Sequence, residues 1–76
     1  MKIETLVSMA NQIGDFFKSF PDQEMAKKNI AAHLTNFWAR NMREQIIVYV
    51  AEQNGAGLET IVRDAIKEHL HLTVAH

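Results

Sequence analysis

Apolar residues at Ile3, Leu6, Val7, Ala10, Ile13, Phe17 and Phe20 recur at intervals of three and four, the spacing that lines one face of an α-helix. This first amphipathic helix is stopped by Pro21, which lacks an amide hydrogen. Asp22 then stands where an N-cap carboxylate accepts hydrogen bonds from amides one turn on. Ala26, Ile30, Leu34 and Phe37 form a second stripe. Asn41, followed three residues later by Glu44, has the form of a capping box opening a third helix, and Asn54 with Gly55 supplies a left-handed C-terminal stop. Leu58, Ile61, Val62, Ala65, Ile66 and Leu70 make the fourth stripe. The run Ile46 to Val50 is rich in β-branched residues and alone could be read as a strand; cap, stop and length favour helix. The expected fold is all-α: a single helical domain over residues 1–76, a small bundle of four short helices. Turns of a few residues set neighbouring helices antiparallel or at an angle.

Some apolar residues fall outside these stripes. At 100° per residue, Met9 and Phe16 lie about 80 to 100° from the centre of the first stripe and widen that face to about half the helix. Val48 falls nearly opposite Met42, Ile46, Tyr49 and Val50, and Trp38 stands at the edge of the second stripe, one residue before the turn. Two readings stay open: a tiny domain that buries more of each helix, or a protein-protein surface, where aromatic, Met and Arg side chains concentrate. On the second reading Trp38 with Arg40 and Arg43 is the best hot-spot candidate. Asn11 and Gln12 sit in mid-helix, where propensity prefers Ala, Leu or Glu. They are either solvated surface or amides that bond a neighbouring helix or a partner's backbone.

Length sharpens the picture. A chain of 76 residues buries only about 60% of the surface its unfolded form exposes, and such domains often lean on disulfides, metals or association. With no cysteine, a disulfide framework, a thiolate zinc site and an iron-sulfur cluster are excluded, and association is the support that remains. A hydrophobic content of 47% against 22% charged residues places the chain among folded rather than disordered sequences. The net charge of −1, with no basic block longer than Lys27 and Lys28, argues against a nucleic-acid or anionic-membrane surface. No apolar run approaches the roughly 18 residues of a membrane span, and the N-terminus lacks the order of a signal peptide. A cytoplasmic protein is expected.

Catalytic chemistry finds little to work with. The histidines are His33, His69, His71 and His76, and the serines Ser8 and Ser19; none stands in a nucleophile-like context. His69 and His71, two apart on a helix, point in different directions and cannot chelate one metal together; His69 falls within the fourth stripe. Gly55 and Gly57 are followed by no Lys with Ser or Thr, so a phosphate loop fails its context, and they read as a helix stop and a turn. A DNA-reading helix would need a basic field, whereas the fourth helix offers Arg63 and Lys67 beside Asp64 and Glu68. No catalytic, cofactor or metal residue is expected.

Three ordered blocks carry a resemblance: Met9, Ala10, Asn11, Gln12, Ile13, Phe16 and Phe17; His33, Leu34, Phe37, Trp38, Met42 and Arg43; Gly55, Gly57, Leu58, Val62, Arg63 and Ala65. Together they span roughly positions 6 to 66. The chain resembles the small delta subunit of soluble NAD-dependent, molybdenum-containing formate dehydrogenases. It departs from that family after the tryptophan, where Ala39 and Arg40 replace an acidic residue and a proline. The resemblance implies a non-catalytic accessory subunit that docks on the molybdenum-carrying catalytic (alpha) subunit and supports its assembly, cofactor loading or stability. The implied holoenzyme oxidises formate to carbon dioxide and passes electrons through iron-sulfur clusters and flavin to NAD, with none of those cofactors ligated by this chain. The expected partner interface comprises Met9, Asn11, Gln12, Phe16, Trp38, Arg40, Arg43 and Val48, and a homodimer of the isolated chain is compatible with it. The alternative is a homo-oligomeric helical scaffold unrelated to formate oxidation.

Overall fold

A computed structural model of the chain describes residues 2–71. Its elements are α1 (Ile3–Phe17), α2 (Gln23–Phe37), α3 (Arg40–Gln53) and α4 (Thr60–His69), with no strand among the described residues. The β-branched run Ile46 to Val50 lies inside α3, where tertiary packing overrides local preference. His76 lies outside the described residues. None of the described helices is long and apolar enough to cross a membrane.

Two of the three expected caps form. Asp22 accepts from the amides of Glu24 and Met25 at 3.0 and 3.2 Å, satisfying donors that the first turn of α2 leaves open. Asn54 adopts φ 57° and Gly55 φ 62°, and the amides of both reach back to the Tyr49 carbonyl, so a left-handed turn closes the helix. The capping box at Asn41 does not form. Helix α3 starts two residues earlier, behind an extended Ala39 that offers no side-chain cap, so Asn41 is already helical and its amide cannot cap. Glu44 pairs instead with Arg40 Nε at 3.0 Å.

Helix α2 packs most extensively on α4, while α1 and α3 each contact α4 and one another. The shared core comprises Leu6, Ala10, Ala31, Leu34, Trp38, Ile46, Val50, Val62, Ile66 and Leu70. It is aliphatic apart from one indole. Gly14 is buried where α1 crosses α4; a Cβ there would overlap Val62 Cγ2, so the residue is glycine because the helices approach that closely. Three expected core positions, Phe17, Phe20 and Phe37, stand outside that core. Phe37 is 73% exposed, and Trp38 takes the place inside at 7%. Helix α2 ends at this point, and the extended backbone of Trp38, φ −89° and ψ 141°, turns the indole inward while Phe37 keeps its helical direction toward solvent.

Candidate partner-docking surface

Residues 9–17 of α1 and 33–38 at the end of α2 enclose an open groove of about 580 Å³, lined by Met9, Gln12, Ile13, Phe16, Phe17, His33, Phe37 and Trp38. Helical spacing puts Met9, Ile13 and Phe16 along one wall, and His33 and Phe37 one turn apart on the other. The rings interlock. Phe16 meets Phe17 edge-on at 4.9 Å, Phe17 meets Phe20 at 5.3 Å and His33 at 6.4 Å, and His33 lies 4.7 Å from Phe37. All four phenylalanines of the chain thus belong to one surface cluster and none is in the buried core. Phe16 is 71% exposed.

Among the residues singled out from the sequence, Met9, Gln12, Phe16 and Trp38 come together on this groove. Trp38 belongs to the core as well, so it anchors the floor rather than standing free as an exposed hot spot. Asn11 turns away. Its side-chain nitrogen donates to the Gly57 carbonyl and its oxygen accepts from the Glu59 amide, both at 2.9 Å, so the amide clamps α1 to the turn before α4 and is spent within the chain. Arg43 is likewise used internally: Nη1 donates to the Thr35 carbonyl at 2.9 Å, and Nε is buried without a partner. Arg40 is exposed on its pair with Glu44. Val48 is 49% exposed but lies beside Asn41, Glu44 and Gln45, on a separate shallow depression. Periodicity assigns Phe17 and Phe37 to the core; Ile13, assigned there too, packs against the core and lines the groove as well. The signal that could have found them is adjacency: Phe16–Phe17 and Phe37–Trp38 are neighbouring pairs of large rings, and successive positions on a helix point about 100° apart, so only one ring of each pair can aim at the core centre.

Two charged clusters lie elsewhere. Lys27 Nζ bridges Glu24 at 2.9 Å and Glu68 at 2.8 Å, and His69 Nε2 lies 3.2 Å from Glu24, joining the start of α2 to the end of α4. Lys27, and after it His69, hold the Glu24 carboxyl below its ordinary value, while Glu68 first and then Glu24 push the Lys27 ammonium up. Glu24, Glu68 and His69 come close enough to share a metal ion, but an ion there would have to displace the lysine that already neutralises the carboxylates. The second cluster joins Asp15, Lys18 and Glu59. Lys18, 3.0 Å from Asp15, keeps Asp15 low, with the hydrogen bond from Glu59 adding to it; that same bond, together with desolvation, raises Glu59.

The family model described as NADH-dependent formate dehydrogenase delta subunit FdsD matches residues 5–66. No curated protein and no solved structure matches the chain.

Proposed function

The chain belongs to the NADH-dependent formate dehydrogenase delta subunit family, and from that premise we propose that it is a non-catalytic accessory subunit. It docks on the molybdenum-carrying catalytic subunit through the aromatic groove between α1 and α2. The observation that carries this reading is the location of the phenylalanines. A small domain gains most of its stability by burying large apolar side chains, yet this one leaves Phe16 and Phe37 more than two-thirds exposed around a groove built from both halves of the aromatic motif. Exposed aromatic clusters of this kind mark interaction sites.

The proposed role follows from linkage. A subunit that binds only the folded or cofactor-loaded form of its partner stabilises that form, by about 2.7 kcal/mol when present at a hundred times its dissociation constant. Assembly, molybdenum-cofactor loading and retention are all served by that one mechanism. The proposed compartment is the cytoplasm, in keeping with a nicotinamide-linked complex.

Co-expression with the cognate formate dehydrogenase subunits, with and without this chain, tests the proposal by size-exclusion chromatography, molybdenum content and formate-oxidising activity. Co-elution, with less molybdenum or activity when the chain is omitted, is expected. Full molybdenum and full activity without it would remove the maturation role, and independent elution would remove the docking role and favour the homo-oligomeric scaffold.

A further inference from the structure

We propose that the occupant of the α1–α2 groove is a single uncharged apolar helix face of about two turns, contributed by the catalytic subunit. This inference rests on the docking role proposed above and names the element that docks. Three observations select it. The first is length. The wall from Met9 to Phe16 spans seven residues, about 10 Å at 1.5 Å per residue, and its contacts recur at three and four, the pattern that accepts side chains at i, i+3 or i+4, and i+7 of a third helix.

The second is charge. Among the described residues no Asp, Glu, Lys or Arg lines the groove, and the charges beside it in sequence are already paired, Asp15 with Lys18 and Arg40 with Glu44, each at 3.0 Å. An occupant with a charged face would be desolvated there without a counter-charge, whereas Leu, Met or Phe side chains meet only rings, a thioether and aliphatic carbon. Gln12 and His33 are the polar exceptions and sit to bond an edge group.

The third is area. Phe16 and Phe37, 71% and 73% exposed on side chains of roughly 200 Å², together offer about 300 Å². A second copy of this chain closing only this groove would fall well below the roughly 800 Å² per partner of a stable interface. A helix that is part of a larger subunit brings with it the further contacts that the groove alone does not supply.

The test uses the full chain in complex with the catalytic subunit and compares hydrogen exchange in the complex with that of each protein alone. Protection is expected at 9–17 and 33–38, and on the catalytic subunit in one helical segment with an uncharged apolar face. A synthetic peptide of that segment should bind the chain, and Phe16→Asp with Phe37→Asp should weaken it about thirtyfold or more with helicity retained by circular dichroism. Should the double variant lose helicity, Phe37→Ser alone gives the same reading. Protection of a strand or a charged loop of the catalytic subunit overturns the helix occupant and leaves the docking role standing. Concentration-dependent dimerisation of the free chain that is abolished by Phe37→Ser overturns it in favour of a second copy. A complex whose groove stays unprotected overturns the groove as the site, and the failure of any complex to form overturns the docking role itself.

Discussion

Gly14→Ala should destabilise this domain, although helix propensity alone predicts the opposite. In mid-helix, Ala is favoured over Gly by about 1 kcal/mol. At this site, however, the new methyl group would overlap Val62 Cγ2, far inside the 3.4 Å at which ordinary contact begins. Val62 is fully buried and β-branched, with one strongly preferred rotamer in a helix, so relief requires α1 and α4 to separate rather than a side chain to swing away. Overpacking of this kind costs about 1 to 3 kcal/mol, occasionally more. Because the contacted methyl belongs to a fully buried, β-branched side chain with no free rotamer to take, the upper part of that range applies, leaving a net loss of about 1 to 2 kcal/mol after the propensity gain. For a domain of this size that lowers Tm by roughly 5 to 15 °C, readable by thermal melts followed at 222 nm. The clash explanation makes a second demand: in a Val62→Ala background, Gly14→Ala should become neutral or stabilising, a coupling that a double-mutant cycle isolates. A Tm that rises in the wild-type background would refute the close-crossing argument outright.

Other substitutions test the remaining links. Asn11→Ala removes both bonds to the turn before α4 and should cost about 1 to 3 kcal/mol in urea titrations, with Asn11→Asp giving no rescue, since the oxygen that replaces the donor meets the Gly57 carbonyl acceptor to acceptor. Trp38→Ala empties a core position 7% exposed and should cost about 3 to 5 kcal/mol, with loss of melting cooperativity as well as of any partner binding. Glu59 is raised above 4.5, chiefly by its bond to Asp15, so its contribution is fully present below pH 4.5 and lost as pH rises through its folded pKa. Glu59→Gln should therefore raise Tm at pH 7 and show no such gain below pH 4.5, and an equal gain at both would sink the proton-sharing account. Glu24 is shifted the other way, by Lys27 first. Its contribution is present at neutral pH and lost as pH falls from 4.5 through its folded pKa, and Lys27→Met should flatten that part of the acid limb.

How much of this was legible in the sequence depends on what kind of force decides each feature. Helix number and the stops at Asp22 and Asn54 follow from local chemistry, since a cap needs only a side chain and the amides one turn away. The start of α3 did not follow, because it depends on where the Trp38 indole is drawn into the core, a tertiary event that moves the helix boundary by two residues and leaves Asn41 without a capping role. The same event decides the proposed docking surface. Periodicity assigned Phe37 to the core and left Trp38 at the edge, and the adjacent pairs Phe16–Phe17 and Phe37–Trp38 made the conflict visible without resolving it. Resolution takes volume. A core closed by Ala10, Ala31 and Gly14 at close helix crossings has room for one large ring, not five, and the indole, with the greatest apolar area, gains most by entering. The four phenylalanines are left at one end of the molecule, joined through His33. A domain selected only for its own stability would exchange the exposed ones for polar residues at little cost. Their exposure around a groove lined by no Asp, Glu, Lys or Arg is what the proposed docking role accounts for and the domain's own folding does not.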